Sequence, residues 1–261
     1  MNKKKFTNKT VTILLGLIPF VLIIFAWQIL VSYKLVPVWL IPGPIATIVS
    51  FFKLILDGTL FTVVLISLGN VLPAFIFGLG VASIFGIAIG TNKTFREIFY
   101  PFLVSIYPIP SIAWLPLAIL LLGYSRQTIW LVIFIASFNS SLYPIISGVR
   151  HIDKNWLLAA KNTGLSKTKT IFHIVVPGSL PAFITGARMA FSTSWRILIV
   201  AEMLGVSMGG LGKFIWMAQW AFDFDKVFSG IIVLSIISIV IEKLVFKSIE
   251  QKTLEKWGIA N

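Results

Sequence analysis

VLISLGNVLPAFIFGLGVASIFGIAIG, residues 64–90, contains no acidic, basic or histidine side chain. About 20 consecutive apolar residues carry an α-helix across the hydrocarbon core of a bilayer. This stretch is long enough to do so, and five others share its character: 11–33, 99–122, 128–149, 180–204 and 227–247. Together they predict an all-α integral membrane protein of about six transmembrane helices. A single domain over 1–261 is expected, since neither an internal repeat nor a low-complexity tract interrupts the chain. Pro73, Gly78, Pro108, Pro110 and Pro116 lie inside the spans. Such residues are tolerated where neighbouring helices or a wet path satisfy the freed backbone groups. Gly78, Ala82, Gly86 and Gly90 repeat small residues at four-residue spacing, a helix-packing pattern.

Composition agrees. Of the 261 residues, 57% are hydrophobic and 12% charged, half the roughly 25% charge of soluble domains. Mean hydropathy is +0.96. A chain of this size cannot bury so much apolar sequence and still coat itself with polar groups. The formal net charge is +13, from 22 Lys and Arg against 9 Asp and Glu. In a soluble protein that balance suggests nucleic acid. Here the charges cluster between apolar runs, which excludes that reading and sets orientation instead. The absence of cysteine excludes disulfides, thiolate metal sites and thiol nucleophiles. The run from Val11 to Val31 exceeds a signal-peptide core, and no small-residue cleavage site follows it. An uncleaved first helix is expected.

The positive-inside rule tests the span assignment. With the N-terminus inside, the cytoplasmic segments hold Lys3, Lys4, Lys5, Lys9, Lys93, Arg96, Arg150, Lys154, Lys161, Lys167, Lys169, Lys243, Lys247, Lys252 and Lys256. The outer segments hold Lys34, Lys53, Arg126, Lys213 and Lys226. Fifteen against five places both termini in the cytoplasm, and an odd number of spans would spoil the alternation. Two outer segments have structure of their own. Residues 44–56 place Ile45, Ile48, Val49, Phe52 and Leu56 at helical spacing, as an interfacial helix does. Residues 211–222, with Phe214, Trp216, Trp220 and Phe222, read as an aromatic-anchored interfacial or re-entrant piece.

The segment RHIDKNWLLAAKNTGLSKTKTIFHIVVPGSLP, 150–181, lies between the fourth and fifth spans. Asp153 suits the N-cap of a short helix through Trp156, Leu157, Ala159 and Ala160, and Gly164 suits its end. Ser166 suits the cap of a second short helix, which Pro177 is expected to stop. Ordinary topology would also make such a loop basic, and the helix–Gly–helix outline mimics a DNA-binding motif. The spacing decides between these. Ala159-Ala160, then Gly164, then Ile174-Val175-Val176-Pro177 resembles the EAA motif of ABC importer permeases, with Leu158 in place of its glutamate.

The resemblance runs over roughly 27–247. LVPVWLIPGPIATIV, YPIPSIAWLPLAILLLG, GSLPAFITGARMAFSTSWRILIVAEMLG and GGLGKFIWMAQW are similar to stretches of the nitrate, sulfonate and taurine branch, in the same order. Asn70 stands where many relatives carry a basic residue. The resemblance implies a type I importer permease in a bacterial cytoplasmic membrane, with no cofactor. Its implied partners are two ATP-binding subunits, an extracytoplasmic substrate-binding protein and a second permease copy in a homodimer. Asp153, Leu158, Ala159, Ala160, Gly164, Ile174 and Pro177 are the ATPase-coupling residues so implied. The solute class is sulfonate, taurine, nitrate or a similar small anion, with a thiamine or riboflavin precursor as the alternative.

No phosphate-binding Gly-x-x-x-x-Gly-Lys-Ser/Thr motif, His-Glu-x-x-His or Gly-x-Ser-x-Gly occurs, so neither ATP hydrolysis nor an intramembrane hydrolase is encoded here. His151 and His173 lack partners at metal-ligand spacing. Charge inside a span is costly and points to function. Arg188, Trp195 and Glu202 recur at seven-residue spacing on one face of the fifth span, and Arg196 lies deep within it. These four, with Asn139 and Ser140 of the fourth span, are the candidate translocation path. The competing assignment has Arg188 and Glu202 snorkelling to opposite interfaces. A non-ABC channel or ion-coupled carrier would show ionisable residues deep in several spans, or inverted repeats.

Overall fold

The structure is a computed structural model and describes residues 3–207 and 209–256. Every regular element among them is helical. In chain order these are α1 (Lys3–Ser32), α2 (Pro44–Leu56), α3 (Thr59–Thr91), α4 (Lys93–Ile106), α5 (Leu115–Leu122) and α6 (Arg126–Arg150). Next come α7 (Lys154–Asn162), α8 (Lys167–Thr170), α9 (Val176–Met203), α10 (Leu211–Trp220), α11 (Phe224–Val240) and α12 (Lys247–Lys256). Of the basic residues used above for orientation, Lys3, Lys4, Lys5, Lys9, Lys252 and Lys256 have side chains outside the described set.

Among the described residues, four helices are long and apolar enough to cross a bilayer: Thr59–Thr91, Arg126–Arg150, Lys167–Met203 and Phe224–Gln251. The expected third span, 99–122, is not one straight helix. It is a pair, Lys93–Ile106 and Ser111–Leu122, bent by 87°. The cause is local: Pro108 and Pro110 lack the N–H an α-helix needs, and Pro110 itself leaves helical geometry with ψ 129. Counted as one broken span, the pair raises the total to five. The expected first span falls within α1, a helix of 30 residues whose N-terminal side chains lie in part outside the described set.

A second departure concerns Pro177. The chain does not stop there: α8 runs through a π-helical turn, Ile171–Val175, directly into α9. The Val176 amide reaches back five residues to the Ile171 carbonyl. The widened turn lets the continuous helix absorb Pro177, which has no N–H to offer the preceding turn.

The described chain divides into two compact units. One comprises Met1–Leu60 with Ile215–Ile232. In it Trp27 stacks on Phe228 with ring centroids 5.3 Å apart. Asp57 accepts the Thr59 amide (2.9 Å), capping the start of α3. That hydrogen bond holds the Asp57 carboxyl below its ordinary value.

The other unit, Phe61–Phe214 with Val233–Asn261, holds most of α3, α6 and α9. The small-residue stripe of α3 lies against α6. A Cβ on Gly78 would come within 2.8 Å of Ser137 Cβ, and one on Gly86 within 2.6 Å of Ile145 Cγ2. Glycine is what lets the two backbones approach. Ser137 Oγ donates to the Phe75 carbonyl across the same contact (2.9 Å). Ala82, Ile89, Leu142 and Ile146 are buried there, with Phe85, Phe95 and Phe99 packed around them. α6 meets α9 in the same way, Gly186 lying against the Ser141 backbone.

Candidate functional site

Three places in the larger unit concentrate unusual chemistry. The first is the short-helix segment. Asp153 Oδ1 accepts the Asn155 amide at 2.8 Å and starts α7. Gly164 ends it with φ +72, a conformation costly to any residue with a Cβ. The Leu165 amide bonds the Ala160 carbonyl (3.0 Å) and the Gly164 amide the Lys161 carbonyl (3.1 Å), the two crossed bonds of a Schellman end. Ser166 Oγ accepts from the Lys169 amide (3.4 Å) and starts α8. Ala159, Ala160, Ile174 and Pro177 converge, with Trp156, on an apolar groove of about 320 Å³. Asp153 and Gly164 shape the ends of the segment and do not line that groove. Leu158 points elsewhere and is 56% exposed; Trp156 is 55% and Phe172 66% exposed. His151 and His173 each place Nδ1 against the carbonyl four residues back.

The second place is the C-terminal end of α9. Glu202 is fully buried. Ser67 Oγ of α3 donates to its carboxylate (2.8 Å to Oε2) and Asn70 Nδ2, one helical turn on, to Oε1 (3.1 Å). The Gly212 amide donates to Oε2 (3.0 Å), and the Leu211 amide to Ser67 Oγ (2.8 Å). A Cβ on Gly210, whose φ is +105, would fall on the Glu202 carboxylate. Asn70 faces both ways: its Oδ1 accepts Arg126 Nε (3.0 Å), while Arg126 Nη2 donates to the Gly69 carbonyl (2.9 Å). Arg126 also lies over the Trp130 ring, 5.3 Å from its centroid. A basic group thus reaches Asn70 from α6. Three donors converge on the Glu202 side chain, the hydrogen bonding a buried polar group needs.

The third place is the middle of α9. Arg188 forms an ion pair through Nε to Glu242 (3.2 Å), off hydrogen-bonding alignment, and through Nη2 to Glu250. Arg196 is exposed and donates Nε to the Ser192 carbonyl of its own helix (3.1 Å). Trp195 is buried, its indole N–H without an acceptor among the described residues. Arg188, Trp195 and Arg196 line a cavity of about 490 Å³ against the last long helix. Glu202 is not part of it, although seven-residue spacing grouped it with Arg188 and Trp195. Asn139, whose Nδ2 is buried without a partner, and Ser140, half-buried, sit on α6 away from that cavity. Sequence reading passed over Ser67 and Arg126. Its one available signal was Ser67 and Asn70 at i, i+3, a polar pair on one face of an apolar helix.

Comparison with known proteins gives four findings. Residues 78–252 match the family model described as binding-protein-dependent transport system inner membrane component. A probable ABC transporter permease of Brucella melitensis is 30% identical over 88% of this chain and 92% of its own length. A Bacillus subtilis permease named for aliphatic sulfonates transport is 29% identical over 98% of this chain and 91% of its own length. Among solved structures, an inward-facing form of the MetNI methionine ABC transporter superposes with TM-score 0.60. It is 15% identical and covers 72% of this chain and 92% of that one, a likeness of fold.

Proposed function

Since this chain belongs to the family of binding-protein-dependent transport system inner membrane components, as the permease subunit of an ATP-driven ABC importer, we propose that residues 153–177 seat the ATP-binding subunit and that α9 lines the path of a small anionic solute. The permease is a transport subunit and not an enzyme, and it is of the nitrate, sulfonate and taurine branch. Multi-pass membrane residence and ATP-binding and substrate-binding partners come with the family. The finer arrangement proposed here is six spans in one permease domain with both termini cytoplasmic. Two copies share the path, and one ATP-binding subunit sits under each. A sulfonate as solute is supported by the Bacillus subtilis relative named for aliphatic sulfonates transport.

The observation that carries the coupling role is the finish of the short-helix segment. Its backbone ends are capped and its turn is fixed by Gly164, yet Trp156, Leu158 and Phe172 remain uncovered. Such a rigid, apolar, basic surface suits a docking helix pair. The uninterrupted run from α8 into α9 supports a mechanical role as well. A push on Lys167–Thr170 travels along one continuous helix to Arg196 and Glu202, as rigid-body rearrangement requires. Co-purification with an ATP-binding ABC subunit tests the reading. The complex should form with the parent chain and be lost with Gly164→Pro, while the variant permease stays folded by gel filtration. An intact complex with folded Gly164→Pro would overturn it.

A further inference from the structure

The cavity beside the middle of α9 has an unbalanced charge. Three cations line it, Arg188, Arg196 and Lys243, with the single carboxylate of Glu242. Arg188 is already held between Glu242 and Glu250. Arg196 makes one hydrogen bond, to its own helix, and neither it nor Lys243 has an ion pair among the described residues. An uncompensated guanidinium on an apolar helix is too costly to face lipid and requires water, a partner or an anion.

The walls narrow the choice. Phe191 and Trp195, both buried, stack with centroids 6.3 Å apart and planes 12° from parallel, giving the cavity an apolar floor. The buried Trp195 indole N–H has no acceptor among the described residues. On the opposite wall, Glu242 and Lys243 belong to a π-helical turn, Ile241–Phe246, inside the last long helix. A π turn inserts one residue and so rotates the C-terminal part of the helix about its axis, and such turns recur at functional sites. The volume of about 490 Å³ is in the range of small-molecule sites.

We infer that this cavity is a binding site for a short-chain organic anion, its sulfonate or carboxylate head held by Arg196 and Lys243 and its alkyl part laid on Phe191 and Trp195. The planar fork of Arg196 matches two oxygens of such a head, and Lys243 adds a point charge. Arg188 is a positioning residue: tied to both carboxylates, it keeps Glu242 from neutralising Lys243. The inference rests on the permease reading above and names where the solute pauses within that path.

Fluorescence quenching of the full chain in nanodiscs of zwitterionic lipid tests it. The probe is 2-bromoethanesulfonate, whose bromine quenches a tryptophan it touches; 2-bromoethanol is the neutral control of similar size. Saturable quenching by the anion alone is expected, and Trp195→Phe should remove that component. Arg196→Gln and Lys243→Gln should each raise the half-saturating concentration about tenfold or more, and Arg196→Lys should recover part of the loss. Equal quenching by anion and alcohol, or unchanged half-saturation in both glutamine variants, would overturn the site. Anionic phosphatidylglycerol in the disc distinguishes a lipid headgroup from a free solute. Displacement of the probe by the lipid would reassign the cavity to headgroups and overturn the solute site. Co-purification of the ATP-binding subunit in the same preparations separates the two readings. If the complex forms but the anion does not bind, this inference alone fails.

Discussion

The segment 153–178 and the Glu202 cluster are both built around glycines and capped backbone, and they are finished in opposite senses. Around Glu202 the polar groups find partners among the described residues: two side chains of α3, two backbone amides at the start of α10, and Arg126 behind Asn70. Nothing is left for another molecule to satisfy. In the segment the backbone is equally well closed, but the side chains are not, with Trp156, Leu158 and Phe172 each more than half exposed. The difference separates scaffold from working surface. A buried carboxylate whose donors are all internal holds helices together, whereas a capped helix with uncovered apolar side chains is shaped for a partner.

That contrast yields a graded series of substitutions. The largest effect is expected from Glu202→Ala, which leaves Ser67, Asn70 and the Gly212 amide without their acceptor in a buried site. Each unsatisfied donor costs about 1–3 kcal/mol, so a loss of at least about 3 kcal/mol is expected, read by thermal unfolding in detergent. The fraction that remains folded should still bind the ATP-binding subunit. Gly210→Ala should rank next at about 1–3 kcal/mol, because its Cβ would fall on the Glu202 carboxylate. Either substitution would break the contrast if it lowered ATPase docking without lowering the melting temperature.

Gly164→Ala should show the reverse pattern. The φ of +72 costs a residue with a Cβ about 1–2 kcal/mol, but no neighbour lies where the Cβ would go. The strain should therefore fray the end of α7 and weaken docking several-fold in a pull-down titration, with the melting temperature of the whole chain little changed. Gly164→Asn, which tolerates the left-handed region, should retain docking. The smallest effect is local to Asp57, remote in sequence from both regions. Its carboxyl is held below the ordinary value by the Thr59 amide, so the charged form is favoured in the folded state. Its contribution is present above the usual carboxylate range and fades as pH falls below that range through the depressed value. Hydrogen exchange at the Thr59 amide should accelerate only at that acidic end, and Asp57→Asn should leave both melting and docking unchanged.

Legibility in the sequence tracks the range of the interactions. Asp153, Gly164 and Ser166 act within a few residues of themselves, so capping rules place them and the structure agrees. The α3 glycine stripe was legible for the same reason: a spacing of four marks one face, whatever lies against it. Pro108 and Pro110 were visible, but hydropathy is blind to direction and reads two bent halves as one span. The π turns at 171–175 and 241–246 leave no sequence signal of their own. Pro177 was consequently expected to stop a helix that passes through it. Glu202 was grouped with Arg188 by heptad spacing alone. Its true partners lie 135 and 132 residues away in the chain, a pairing only the tertiary fold reveals.

Because the chain contains no cysteine, one introduced thiol is unique, and this permits the most direct test of the docking surface. Leu158→Cys, reacted with a short bifunctional crosslinker in membranes that also hold the ATP-binding subunit, should give a permease–ATPase adduct. Lys213→Cys, on the side expected to face outward, should give none. Absence of the adduct from Leu158→Cys, or an ATPase adduct from Lys213→Cys, would contradict the assignment of residues 153–177 to the ATP-binding subunit.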